Sequence, residues 1–226
     1  MGKAHLQRKP SSDGRARAAG LRLLEIYSGL ASRGEHLFEK LLEGQTPKQW
    51  AHYPEEDAID AESGLQWFYH SHAPEDRPGA VEHGHIHLFA RRKLWARRLR
   101  SAAEIEFAKL GGEPPASVNT RHLLTIGFDA KGVPTSMFTV NSWVSGDRML
   151  SARLTAELLG SMVLETGNPE VDGVLESLVA MHQDEIENLL VNRDRSLSTW
   201  TGANVLSDER LEVLSEFTVD VDSKLA

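Results

Sequence analysis

Histidine alternates with other residues in two nearby segments of the chain, and this alternation restricts the local structure more than any other feature. Five of the ten histidines belong to these segments: His70, His72, His83, His85 and His87. Successive side chains of a β-strand point to opposite faces, so residues two apart share a face. The opposite faces carry apolar or aromatic residues, among them Tyr69, Ile86 and Leu88. We therefore predict two strands, over residues 65–72 and 82–91, each with a histidine face and an apolar face.

The loop between the two predicted strands determines how they pair. It has about ten residues, which suits an antiparallel hairpin, whereas a parallel pair needs a longer crossover connection. A hairpin that closes symmetrically places His70 opposite His85 and His72 opposite His83. Directly opposite residues of an antiparallel pair have Cβ atoms about 4.5–5.5 Å apart on the same face. We expect the imidazoles of both strands to converge on one face of a sheet.

Converging imidazoles are typical ligands of divalent transition metals such as Zn²⁺, Fe²⁺, Mn²⁺ or Ni²⁺. The chain has no cysteine, which excludes thiolate zinc sites, iron–sulfur clusters, disulfides and cysteine nucleophiles. We predict a metal site formed by His70, His72, His83 and His85, with His87 as a fifth ligand or as a residue that orients one. Such a site would suit a metal-dependent hydrolase or oxygenase that acts on a small polar molecule. A metal-free polar pocket and an inert row of surface histidines are the alternatives.

A second chemical interpretation uses the same residues. The segment His83-Gly84-His85-Ile86-His87-Leu88-Phe89 resembles the histidine-triad motif of nucleotidyl hydrolases and transferases, in which the middle histidine attacks phosphorus. The resemblance implies His85 as the nucleophile of a metal-free phosphoryl-transfer enzyme. Gly84 departs from the apolar residue that the motif has there, and the motif usually lies near the end of its chain.

Four other features of the sequence suggest additional site residues. Glu82 begins the second predicted strand and could serve as a carboxylate ligand or a base. His122 begins a later strand and would join the cluster if that strand is adjacent. The loop with His52 and Asp57 could cover the sheet and add a carboxylate, although most such loops are plain connectors. The segment 141–147 could line a pocket, or could be a turn and a helix cap with Ser145 or Asp147 as N-cap.

Strands and helices are grouped along the chain rather than alternating. Beyond the two histidine strands, residues 121–128 and 133–140 flank a four-residue turn with Gly132 and predict a second hairpin, and residues 211–221 suggest a last strand. The apolar spacing predicts helices over residues 18–43, 91–110, 148–165 and 171–193, whereas residues 45–64 predict a loop. This grouping predicts an α+β fold, a central antiparallel sheet with helices packed on one face. We expect residues 1–16 to form a disordered basic arm and residues 17–226 a single domain.

The distribution of charge bears on binding partners and location. The net charge of −8 argues against general nucleic-acid binding, and the expected partner is the small polar molecule of the histidine site. The run Arg91–Arg100 holds six bases and suggests, as a further alternative, a non-enzymatic interaction protein whose basic helix recognises an anionic partner. No apolar run approaches the length of a membrane span, and the first 20 residues lack the apolar core of a signal peptide. We therefore expect a cytoplasmic protein with no membrane contact, and the sequence leaves its oligomeric state open.

An ordered set of short motifs carries one broader resemblance. The set comprises His52-Tyr53-Pro54 with Asp57, Gln66 with Tyr69-His70-Ser71-His72, Glu82-His83-Gly84-His85-Ile86-His87-Leu88-Phe89, Asn141-Ser142-Trp143-Val144-Ser145-Gly146, and Arg193-Asp194. In this set the chain resembles an uncharacterised bacterial family of unknown function over about residues 15–221. The resemblance implies an intracellular bacterial protein and supplies no activity, ligand or catalytic residue.

Overall fold

One antiparallel sheet organises the protein in the computed structural model, which describes residues 12–71, 82–110, 119–202 and 204–225. Within these residues the sheet has seven strands: β1 (Tyr53–Ile59), β2 (Leu65–Ser71), β3 (Gly84–Arg91), β4 (Thr120–Phe128), β5 (Pro134–Val140), β6 (Arg148–Met149) and β7 (Val213–Thr218). The first five strands follow one another in space as they do in sequence, and β7 pairs with β5. The short β6 pairs with β4 and is parallel to it. This arrangement puts β2, β3, β4 and β5 in the interior of the sheet.

The helices lie before, between and after the strands. They are α1 (Ser12–Arg33), α2 (Glu39–Leu42), α3 (Arg92–Trp95), α4 (Ala102–Ala108), α5 (Ser142–Ser145), α6 (Ala152–Gly160), α7 (Pro169–Met181), α8 (Gln183–Thr199) and α9 (Val221–Leu225), with a 3₁₀ turn at Val205–Ser207. The main core combines residues of α1 and α7 with one face of the sheet, including Trp67, Ile86 and Leu124. The Trp67 indole donates a 2.9 Å hydrogen bond to Asp172 of α7. The predicted α+β class, with helices packed against an antiparallel sheet, is confirmed.

The two predicted hairpins are both present. Strands β2 and β3 pair antiparallel, and His70 lies opposite His85 as the symmetric loop predicts. Strands β4 and β5 pair around a turn in which Gly132 has a positive φ of 76°. Side-chain alternation identified these strands because each has one face in the apolar core.

The segment predicted as a loop over residues 45–64 contains a strand that the sequence analysis missed. Strand β1 lies at the edge of the sheet and pairs with β2 through a register shift. Pro54 cannot donate to a strand partner, and Asp57 has a positive φ of 55°, so the strand lacks regular alternation. A prediction from periodicity therefore could not find it.

The predicted helices are shorter than expected, and three of them, over residues 18–43, 91–110 and 171–193, are each divided into two. Helix α1 ends before Gly34, which has a positive φ of 69°, and α7 is separated from α8 at the buried His182. The helix predicted over residues 148–165 is reduced to α6, which Ser151 caps by accepting from the Leu154 backbone amide. Helix α1 already begins at Ser12, so residues 12–16 are helical although the sequence places them in the arm. Residues 1–11 of that arm lie outside the described residues.

The basic run Arg91–Arg100 is not one helix. A single turn, α3, is followed by turns and by α4, whose N-cap Ser101 accepts from the Glu104 amide. Trp95 is buried, and its indole donates to the Ala90 carbonyl at 3.0 Å. The continuous basic helix of the interaction hypothesis is therefore wrong. None of the helices in the described ranges is long and apolar enough to cross a membrane.

Candidate metal centre

Three histidines of the central strands bring one nitrogen each to a common point. His85 Nε2 lies 2.7 Å from His70 Nε2 and 3.0 Å from His87 Nε2. His70 comes from β2, and the other two come from one face of β3, where they are two residues apart. All three side chains are buried, and together they form a group able to hold a metal ion. The face carrying them is opposite the face that packs on α1 and α7.

A buried carboxylate fixes the orientation of His85. Glu82 Oε1 lies 3.1 Å from His85 Nδ1, and only 4% of the Glu82 side chain is exposed. A carboxylate accepts hydrogen bonds, so this contact keeps the proton of neutral His85 on Nδ1 and leaves the Nε2 lone pair toward the other histidines. Gly127 of β4 provides the space, because a Cβ atom there would lie 2.6 Å from Ser136 Oγ and closer still to Glu82 Oε2.

His122 extends the cluster on the side of β4. A register shift in β4 pairs Leu88 with Leu124 and Phe89 with His122, which brings the His122 side chain to the histidine face. His122 Nε2 is 3.0 Å from His87 Nδ1, and the Thr125 hydroxyl is 3.1 Å from both atoms. Burial lowers the pKa of His122 to about 3, and the positive charge of Arg193 adds to this effect. His122 is therefore neutral and positions His87.

The structure assembles three of the five predicted ligands. His72 lies outside the described residues. His83 is exposed, and its Nδ1 is 3.3 Å from the hydroxyl of Tyr69, whose ring packs in the core on the other face. His83 precedes the first residue of β3, Gly84, which allows the Tyr69 hydroxyl to approach closely because it has no side chain. Strand alternation therefore does not extend to His83, and its predicted place beside His85 is wrong.

A pocket of about 580 Å³ opens above the three histidines. Its walls combine polar and acidic side chains with five aromatic ones, from Trp50, Phe68, Phe89, Phe138 and Trp143. Pockets of this size that combine aromatic surface with converging polar groups are typical of small-molecule sites. The histidine nitrogens thus lie at the floor of a cavity with room for a ligand.

Strand β1 supplies one rim of the pocket. The His52 ring stacks on Phe68 with the ring centres 3.7 Å apart, and His52 Nδ1 lies 3.1 Å from Asp57 Oδ1. Gln66 donates a 2.6 Å hydrogen bond to Asp57, and Arg91 donates to Gln66 at 3.2 Å. The predicted loop over the sheet is wrong, because this segment is an edge strand of the sheet itself; its Asp57 carboxylate lines the pocket.

The segment 141–147 forms the opposite rim. Asn141 is the N-cap of α5, and its side-chain amide donates to the Val205 carbonyl at 2.8 Å. The N-cap predicted at Ser145 or Asp147 for the following helix is wrong, because that helix, α6, begins after Ser151. Trp143, Ser145 and Asp147 line the pocket. Thr120 donates to Asp147 Oδ1 at 2.7 Å, while burial raises the pKa of Asp147.

A larger depression of about 1100 Å³ lies between α4, α6 and α8, lined by residues such as Phe107, Ala156 and Val191. It is more open than the histidine pocket, and the group of histidines able to hold a metal lies elsewhere.

Comparison with known proteins identifies a family and no activity. A family model described as a domain of unknown function (DUF6969) matches residues 17–219, and the chain belongs to this family. No curated protein and no solved structure matches the chain. The uncharacterised family expected from the sequence motifs is confirmed.

Proposed function

We propose that the protein binds one divalent transition metal ion through the Nε2 atoms of His70, His85 and His87, and that it is a metal-dependent enzyme. The observation that carries the proposal is the convergence of three buried imidazole nitrogens at the floor of a pocket. The reaction class is hydrolysis or oxygenation of a small molecule, because three protein ligands leave coordination positions for a substrate.

The spacing of the nitrogens favours an ion over a network of hydrogen bonds. Adjacent ligand atoms about 2.1 Å from one ion are separated by roughly 3.0–3.4 Å, close to the 2.7 Å and 3.0 Å distances from His85 Nε2. A ring nitrogen without a proton has one lone pair, so His85 Nε2 cannot accept good hydrogen bonds from both neighbours. One cation can accept a lone pair from all three rings.

The surroundings of two ligands support the same assignment. Metal-binding imidazoles usually donate their other N–H group to a carboxylate or another acceptor, which fixes their tautomer. Glu82 is in that position for His85. His122 and Thr125 are in that position for His87.

The phosphoryl-transfer alternative needs the Nε2 atom of His85 to face a substrate phosphorus. That atom faces two other imidazoles instead, so the geometry favours a ligand over a nucleophile. Neutral imidazoles suit Zn²⁺, Fe²⁺, Mn²⁺ and Ni²⁺ alike, and the proposal includes all four.

Metal analysis by inductively coupled plasma mass spectrometry tests the proposal directly. The protein is analysed as purified, after treatment with a chelator, and after reloading with each of the four ions. We expect about one equivalent of one ion and a thermal shift on reloading. Less than about 0.2 equivalents of every ion, together with no thermal shift, would contradict the proposal.

Two variants with the same chemical change give a matched comparison. His87→Ala removes a proposed ligand, whereas His83→Ala removes an exposed histidine that lies outside the cluster. We expect the first to abolish stoichiometric binding and the second to retain it. Equal loss or equal retention in both variants would show that the triad does not hold the ion.

A further inference from the structure

The wall of the pocket has a one-sided distribution of charge. Its lining includes three carboxylates, Asp57, Asp147 and Glu212, and the described lining residues include no lysine or arginine. Arg91 reaches this region through a hydrogen bond to Gln66, which itself donates to Asp57. A metal ion on three neutral histidines adds two positive charges at the floor, so the acids at the rim still give the cavity wall a net negative charge.

Two of these carboxylates act on each other across the pocket. They come from opposite rims, Asp57 from β1 and Asp147 from the residues after α5. Burial is the main cause that raises the pKa of Asp147; the hydrogen bond from Thr120 and the charge of Arg121 oppose it, and the negative charge of Asp57 adds to it. Like charges that face one cavity are stabilised when a cation enters between them.

Aromatic rings of the same walls also favour a cation. The rings of Trp50 and Trp143 are both partly exposed beside the acids, at 59% and 38%. The face of an indole ring attracts an ammonium group, because the ring quadrupole places negative potential there. Phe68 and Phe138, nearer the histidines, offer apolar surface to the body of a ligand.

We infer that the substrate of this site is a small organic amine, with a positively charged ammonium group at the acidic rim and an apolar or aromatic body against the phenylalanines. This inference rests on the proposed function, because it takes the pocket to be the substrate site of the metal centre. A carboxylate or phosphate group could bind the metal, but the three acidic side chains of the pocket would repel it. The described lining residues include no lysine or arginine side chain to offset this repulsion.

Isothermal titration with three probes of similar size tests the inference. The probes are phenethylamine as the cation, 2-phenylethanol as its neutral analogue and 3-phenylpropanoate as the anion. Each is titrated into the full chain after chelator treatment and again after metal loading. We expect the amine to bind about tenfold more tightly than the alcohol in both forms, and the anion to bind most weakly in the chelated form.

Charge-removing variants then identify the source of the preference. The double variant Asp57→Asn with Glu212→Gln removes two rim charges, and asparagine tolerates the positive φ at position 57. Glu209→Gln is the matched control, because Glu209 is exposed and does not line the pocket. We expect the preference for the amine to fall to about threefold or less in the double variant and to stay near tenfold in the control.

The outcomes separate this inference from the proposed function. A protein that binds metal but prefers the alcohol or the anion, or binds no probe up to about 10 mM, overturns the amine inference and leaves the metal centre intact. A protein that binds no metal but retains the charge preference overturns the metal proposal and supports an amine pocket. An unchanged preference in the double variant overturns the assignment of the rim carboxylates.

Discussion

Removal of the charge on Glu82 tests whether the histidines form a metal site with a supporting carboxylate. Glu82→Gln keeps the length of the side chain and an oxygen able to accept from His85 Nδ1. It removes the negative charge behind the ligand. We expect metal affinity to fall by about 10- to 100-fold, the usual cost of losing such a supporting group.

The geometry gives an independent range for this effect. Glu82 Oε1 is 3.1 Å from His85 Nδ1, the imidazole ring spans about 2 Å, and the ion would lie about 2 Å beyond Nε2. The carboxylate is then roughly 7 Å from a dication, which gives about 1–5 kcal/mol for effective dielectric constants between 80 and 20. A 10- to 100-fold loss corresponds to about 1.4–2.8 kcal/mol, which lies within that range.

Competition against a chromophoric chelator measures the two dissociation constants under the same conditions. Glu209→Gln, which removes an exposed acid elsewhere, is the control for a general effect of net charge. Thermal unfolding of the chelated proteins shows whether Glu82→Gln changes the fold itself. Equal metal affinity of wild type and Glu82→Gln, with both folded, would refute the reasoning that Glu82 supports a metal ligand.

Three further predictions concern the fold around the site. Gly127→Ala should lower the folding stability by about 1–3 kcal/mol and should also lower the metal affinity, because the new methyl group displaces Glu82. An unchanged urea midpoint together with an unchanged metal affinity would contradict this prediction. Burial lowers the pKa of His182 in the folded protein, so protonation of this histidine favours the unfolded chain. The wild type should therefore lose stability relative to His182→Gln as the pH falls below about 6.5. Parallel stability curves of the two proteins from about pH 8 to 5.5 would exclude this contribution. Trp67→Phe should cost about 1–3 kcal/mol in chemical denaturation, because the buried Asp172 loses the indole donor; a loss below about 0.5 kcal/mol would contradict that account.

The sequence predicted the part of the site that depends on local alternation. In β2 and β3 one face is buried in the core, so the period of two appears plainly, and the short connection fixes the pairing of His70 with His85. His122 joined the cluster only as a conditional possibility, because its position depends on a register shift within β4. The shift leaves no signature in the composition of the strand.

Elements at the edge of the sheet were beyond prediction for a different reason. Strand β1 has an irregular burial pattern and a positive φ at Asp57. Neither a two-residue hydrophobic period nor a high β-strand propensity therefore identifies it in the sequence. The division of α7 from α8 at His182 likewise has no glycine or proline to signal it; the His182 side chain turns back along its own helix, with Nδ1 2.9 Å from the carbonyl oxygen of Leu178, four residues earlier. Local sequence rules therefore describe the centre of this sheet better than its boundaries.

The balance of buried charge around the histidines supports a site that is formed before an ion binds. Arg193 is buried behind His122, and its charge disfavours any further positive charge in the cluster. Asp194 lies 2.7 Å from the Arg193 guanidinium, and Glu104 also stabilises its charged form. Asp194 and Glu104 thus offset part of the charge of Arg193, while Glu82 adds a negative charge directly behind His85. Because the interior strands of a sheet fix these side chains, binding of a cation at the proposed site would need little reorganisation, and the folding free energy of the sheet would offset the cost of burying the neutral imidazoles.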